Sequence, residues 1–591
     1  MILSPVVALL LAATPPATVS APIADVHYDV TVDTSTVKHR SIDVTMHFRV
    51  TGPGPVVLAL PAWSPGHYTL LWFSRRVSHF APSTDGHPAD WRMLDYQTWR
   101  IAAKSGQQMT VSFSYVADTI DRAVAWTRAD FAFFNGTNLF LYPAGRGFEW
   151  PATVTVHTSP AWRIATGLPA SATPHTYHAA TYHELVDHPV FVGHFDVDST
   201  AVGTHWIRFV SYPVSPKFPV RATRTLGWLA KLAPAESAVF GVTPWSTYTV
   251  LQIADTAVNG GGLEHEDSQL DEVTTSQLDA SWLPWLYAHE MFHSWNVKRL
   301  RPADLVPYRY DDAQPTGWLW VSEGITDYYS DLSTLRAGID DSTAFLSNTA
   351  NKMSQVSGAP PTAETDASLS PWVNPTDGSA GIYYPKGSLT GFLLDICIRD
   401  ASNNRSSLDH VMRTLYTTTY TQHRGFTPGD WWGTVSRAAA GRSFVEFNRR
   451  YIEGREPLPY DSVVALAGLK LQRDSIEFVQ LGVGTSADSL GAHVEYLVPG
   501  AAAATAGVQL GDHLVSFGTV TFRNDSSYFE LAARYGTTTD TIAPLVFRRA
   551  AAIDTVPIRI VRVPRVEAHL TVDPNASAKA ARVRHGLFTG A

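Results

Sequence analysis

SWLPWLYAHEMFHSWNVKRLRP, residues 281–302, is the stretch on which the reading of this chain turns. Ser281 is a candidate N-cap, and Pro284 falls in the first turn of a helix, where a missing N–H costs little. Trp285, Ala288, Phe292 and Trp295 recur at helical spacing and predict a buried stripe. His289 and His293 share a face beside it, so both imidazoles can reach a single Zn2+. Glu290 follows His289 directly, where a carboxylate can polarise a metal-bound water. Two ordinary histidines on an amphipathic helix would spell the same HEMFH, so the pattern needs support elsewhere in the chain.

That support is sought downstream, because a catalytic zinc takes three protein ligands and keeps one position open. WLWVSEGITDYYSDL, residues 318–332, has helical character and presents Glu323. It lies far enough from His293 for a loop and the return of a second helix. Asp327 falls on the same face as Glu323 and is expected to accept the distal N–H of a ligand histidine. Acids in so apolar a run are seldom buried without a partner. His289, His293 and Glu323 together predict one zinc ion per chain.

Composition narrows the alternatives. A chain of 591 residues exceeds one ordinary core and implies several domains. With 45% hydrophobic and 17% charged residues it is globular, not disordered. A spread net charge of −9 gives no footprint for nucleic acid or an anionic membrane. The single cysteine, Cys397, excludes a disulfide framework and a thiolate metal site; in FLLDICIRD it reads as a small buried hydrophobe. Residues 1–21 read as a secretory signal: Val6 to Ala13 is apolar but too short to span a bilayer, and Val19-Ser20-Ala21 resembles a cleavage site. No Lys or Arg precedes that apolar run, a departure from the usual signal. The expectation is export, to the periplasm or beyond, without stable membrane insertion.

Residues 25–195 read as an antiparallel β domain, from strands such as SIDVTMHFRV and QMTVSFSYV. Within it LPAWSPGHY, Leu60 to Tyr68, is a Pro/Gly turn that is either structural or a wall of the cleft. Residues 196–460 pass from strands flanking a helix to a mostly helical region, with Pro360 to Gly381 as a loop. Residues 466–565 form a small β-rich unit, and the Ala- and Arg-rich tail 566–591 is expected to be disordered.

HEMFHSWNVKRLRP, GGLEHEDS, VSEGITDYYSDL and YYPKGSLTGFLLD together resemble the glycyl aminopeptidase family, gluzincin zinc metallopeptidases. LPAWSPGHY also resembles that family's N-terminal domain, so the resemblance covers most of residues 25–565. It implies a multidomain α+β fold: an N-terminal β domain, a thermolysin-like, mostly helical peptidase domain and a C-terminal PDZ domain. It makes His289, His293 and Glu323 the zinc ligands and Glu290 the general base. From GGLEH it implies that Gly261 and Gly262 let a substrate backbone approach closely, and that Glu264 binds the free α-amino group. From YPKG it implies that Tyr384 donates to the oxyanion, with adjacent Tyr383 leaving open which of the two faces the zinc. Asn296 and Lys298, in the WNxK extension, read as structural at the helix end. VPGAAAATAGVQLGDHLVSF resembles the bacterial PDZ signature, and Leu481-Gly482-Val483 stands where a loop would bind peptide C-termini. The implied function is an exported zinc aminopeptidase acting on peptides with a free N-terminus, preferring small first residues such as Gly and Ala. The rivals are an endopeptidase on the same core, and a non-catalytic scaffold that binds chain termini through the PDZ unit.

Overall fold

The computed structural model describes residues 19–590 except 259, 376, 489, 499, 523–525 and 537–540; the apolar leader Val6 to Ala13 falls outside them. From Ile23 to Gly193 the chain is β-rich. Ser41–Val50 and Gln108–Val116 bury alternate residues and pair at the middle of a seven-stranded sheet. A five-stranded sheet containing Val124–Arg128, Phe131–Phe134 and Val190–Gly193, and a smaller four-stranded one, complete this part. The antiparallel expectation needs one correction: Ile23–Val32 pairs parallel with Ala152–Thr158. Alternation reveals the buried face of a strand, not the direction of its neighbour.

The peptidase region opens with a mixed sheet. Its strands are β1 (Asp196–Val202), β2 (His205–Tyr212), β3 (Thr247–Ala254), β4 (Gly261–Glu264) and β5 (Ser268–Val273), in the order β1-β2-β3-β5-β4. β3 pairs parallel with both neighbours and is buried along nearly its whole length, as a strand covered on both faces must be. One face packs on the N-terminal domain, where Trp126, Phe131 and Phe191 join Val210, Leu251 and Leu263. Toward the other lies the helix Phe218–Phe240, whose Phe218 stacks on Phe209. β4 returns antiparallel and ends the sheet as a free edge.

Helices follow: α1 (Leu283–Phe292), α2 (Thr326–Arg336), α3 (Ser342–Gly358) and α4 (Tyr383–Ala401). α1 departs from its sequence reading in three ways. Trp282, not Ser281, occupies the N-cap, and no side chain caps it. The helix closes at Phe292, and turns carry the chain on. It is buried almost all round, with Leu286, Tyr287 and Met291 inside and Trp285 only partly covered, so no single stripe defines it. Cys397 lies in α4, where burial pushes its thiol up to about 11. Residues 360–381 are not a plain loop: they hold the helix Glu364–Leu369, and the buried Glu364 carboxylate accepts from Thr390 at 3.0 Å.

Two long strands, β6 (Leu469–Gln480) and β7 (Val561–Val572), form an antiparallel ribbon. Between them a six-stranded sheet has its own core, with Leu514, Phe517, Leu545 and Phe547 inside. The tail is ordered, contrary to expectation. Ala578–Thr589 is a helix that buries Ala580, Val583 and Leu587, and Arg584 donates to the Gly468 carbonyl at 2.7 Å. Its Ala and Arg content masks a narrow apolar stripe that suffices once a partner surface exists. No helix among the described residues is long and apolar enough to cross a membrane.

Candidate metal centre and substrate cleft

α1 carries His289 and Glu290, and His293 sits at its C-terminal end. Opposite stands Glu323, on a π-helical turn, Trp320–Ile325, that runs into α2. The helical reading of that stretch missed the widened turn, a feature that often marks functional sites. Nε2 of His289 and of His293 lie 3.5 and 3.3 Å from Glu323 Oε2. Donors bound about 2.1 Å from a tetrahedral zinc stand roughly 3.4 Å apart, so this triad fits the ion. One orphaned atom agrees with that fit, the buried Glu323 Oε1, which has no hydrogen-bond partner among the described residues, and His293 engages Asn296 O through Nδ1 at 2.7 Å, which turns Nε2 toward the triad. Burial opposes ionisation of Glu323, yet the two imidazoles hold its carboxyl well below the usual range. Burial likewise opposes protonation of His293, but Glu323, Glu264 and Glu290 outweigh it and raise it to about 9. Three buried carboxylates around two imidazoles attract a cation.

Asn296 does more than end a helix. Its backbone carbonyl accepts from His293, and its side-chain amide reaches Val321 O at 2.9 Å and Thr326 Oγ1 at 3.0 Å. One residue thus ties a ligand histidine to the turn that carries Glu323. Asp327 plays a different part from the one expected: its carboxylate pairs with Lys352 Nζ at 2.6 Å, while His289 Nδ1 has no hydrogen-bond partner among the described residues. Sequence spacing put Asp327 on the right helix face, but Lys352 arrives from α3, whose approach no local pattern announces.

A cavity of about 280 Å3 opens beside the triad, and Glu264, Glu290, Gly262, Tyr383 and Tyr384 line it. Gly262 is there for space: a Cβ on it would stand 2.2 Å from Glu290 Oε1. Burial, with carboxylates nearby, pushes the pKa of Glu290 well up, and burial also raises that of Glu264. The Tyr384 ring centre is 6.0 Å from that of His289, and Tyr383 packs beside it at 4.6 Å. Lys386 of the same motif turns away to the Thr362 carbonyl at 2.6 Å. Gly261 is not among the lining residues, and Leu481, Gly482 and Val483 take no part in this cavity.

The loop Leu60–Tyr68 is both clamp and wall. Trp63 Nε1 donates to Arg309 O at 2.9 Å, anchoring it to the peptidase domain. Gly66 closes on the Glu264 carboxylate, and Tyr68 faces the cavity with a buried hydroxyl that has no partner among the described residues. The aromatic density of the loop was visible in the sequence, whereas the inward aim of Tyr68 was not. Arg122, also on the lining, carried no sequence signal. Behind the site, Lys298 Nζ pairs with Asp187 of the N-terminal domain at 2.8 Å. Burial works against the Asp187 charge, but Lys298 and His265 hold its carboxyl far below the usual range.

Comparison with known proteins bears on the family and on the fold. Residues 28–194 match the Peptidase M61 N-terminal domain, and residues 283–390 match the M61 glycyl aminopeptidase family. No curated protein sequence gives a match. A crystal structure of an aminopeptidase N family protein from Idiomarina loihiensis superposes with a TM-score of 0.79 at 22% identity, covering 95% of this chain and 100% of its own. That likeness speaks for the fold. An M1 zinc metallopeptidase from Deinococcus radiodurans, bound to a Tyr-Ser-Ala substrate, superposes at 0.48 with 16% identity, over 74% of this chain and 95% of its own.

Proposed function

The chain belongs to the M61 glycyl aminopeptidase family and is a zinc aminopeptidase, and from that premise we propose how its residues divide the work. His289, His293 and Glu323 would hold a zinc ion, which when bound would supply Lewis-acid chemistry toward the scissile carbonyl and the attacking water. Glu290 takes the proton from that water and returns it to the leaving amine; a raised pKa suits a group that must do both. Tyr384 donates to the oxygen that gains negative charge, and Glu264 holds the substrate ammonium. Asn296 keeps His293 and Glu323 in register.

The observation that carries the reading is Glu264. Its carboxylate lies within 4.8 Å of donor atoms of Glu290 and His293, so an ammonium bound there leaves room for little more than one residue before the chemistry. A small cavity favours Gly or Ala at that residue. The test compares Ala-Ala-Ala with its N-acetyl form: the free peptide is expected to be cleaved at its first bond and the blocked one not. Similar rates on both would replace this reading with an endopeptidase. We also propose that the unit between β6 and β7 is a PDZ domain taking peptide C-termini at Leu481-Gly482-Val483, supported by the edge position of strand Val483–Asp488. Titration with a labelled C-terminal peptide, free and amidated, tests it: binding that ignores the carboxylate would reject it. Export is proposed on the leader pattern alone, and a cell fractionation that leaves the protein in the cytoplasm would sink it.

A further inference from the structure

Arg122 is the only arginine or lysine among the described residues lining the cavity. It comes from the N-terminal domain, in the turn between strands Asp118–Asp121 and Val124–Arg128. Its guanidinium closes on Gly261, and its Nη1 lies 3.5 Å from the Gly260 carbonyl, a long and weak contact. Asp121 precedes it in the chain, and Glu272 lies close enough to feel both charges. Glu272 pairs with Gly261 across the sheet, and burial pushes its carboxyl up to about 7, so it neutralises the arginine weakly.

The order of groups along β4 gives this position its meaning. Glu264 ends the strand, Gly262 touches Glu290, and Gly261 meets Arg122. A peptide laid antiparallel on the free edge of β4 therefore meets an amine anchor, then the base, then a guanidinium. From Glu264 to Gly261 is three steps of strand, roughly 10 Å. An extended tripeptide spans about the same length from ammonium to carboxylate. We propose that Arg122 binds the C-terminal carboxylate of the substrate, and that tripeptides with a free carboxyl group are the favoured substrate class. The arginine fork suits a planar carboxylate, and the small cavity suits a substrate that ends inside it.

This inference rests on Glu264 as the amine anchor, and its test separates the two. kcat/KM is measured for Ala-Ala-Ala and for its C-terminal amide, in the wild type, Arg122→Gln and Arg122→Glu. The wild type is expected to prefer the acid by roughly ten- to a hundred-fold, the range of one charge-assisted contact. The ratio should fall to near one in Arg122→Gln and below one in Arg122→Glu. Across alanine oligomers from the dipeptide to the pentapeptide, the gain from a free carboxylate should peak at the tripeptide. A wild-type ratio near one, or a ratio unmoved by both substitutions, overturns the proposal. Failure of the amine anchor shows differently, as equal cleavage of free and N-acetylated peptide.

Discussion

Asn296 meets His293 through its carbonyl and the turn that bears Glu323 through its side chain, and this makes it the most informative single residue outside the proposed ligand set. Asn296→Ala should lower zinc affinity by roughly ten- to a hundred-fold, the usual cost of losing a group that orients a ligand. Competition with a chromogenic chelator measures it, and unchanged affinity would reduce Asn296 to a structural residue. Tyr384 tests a different quantity. Tyr384→Phe should lower kcat by roughly a hundred- to a thousand-fold with zinc content unchanged, and Tyr383→Phe much less. The reverse ranking would move the oxyanion donor to Tyr383.

Between elements, the site depends on how closely two helical segments approach. A Cβ on Gly324 would stand 2.5 Å from the Gly387 Cα, and one on Gly387 would stand 2.6 Å from the Trp320 carbonyl oxygen. The π-helical turn bearing Glu323 therefore packs backbone to backbone on α4, whose first turn bears Tyr383 and Tyr384. Gly387→Ala must push them apart, at a cost of about 1–3 kcal/mol in chemical unfolding, with weaker zinc binding as the second readout. Unfolding and affinity both at wild-type values would show that the contact carries no constraint. VSEGI and YPKG were legible as separate motifs, yet nothing local says that their glycines meet.

At the scale of the whole molecule, the N-terminal domain completes the cleft and is held to the peptidase domain by partly buried polar contacts. His183 Nδ1 meets Tyr310 Oη at 2.7 Å across that junction. Burial, helped by Arg301, lowers the His183 pKa from 6.5 to about 4. Between those values the unfolded chain binds the proton and the folded one does not. The stability contributed by neutral His183 is thus fully present above about pH 6.5 and lost as pH falls toward 4, amounting to at most about 3 kcal/mol. Denaturant midpoints from pH 7.5 to 4 should show this slope, and His183→Phe should flatten it; an equally steep profile in the variant would place the titration elsewhere.

The spacing of HEMFH and the position of Glu323 pointed to a metal centre from the sequence, because metal ligation demands particular side chains at spacings that helices make local, whereas the roles of GGLEH and YPKG came only from the family resemblance. Strand alternation likewise marked the β-rich N-terminal region. What depends on distant segments meeting was beyond local pattern. Lys352 claims Asp327 from another helix, Arg122 and Tyr68 enter the cleft from another domain, and the tail helix forms because a partner surface covers its apolar stripe. Those outcomes are set by burial and by which charges lie within hydrogen-bond reach, quantities that exist only once the chain is packed.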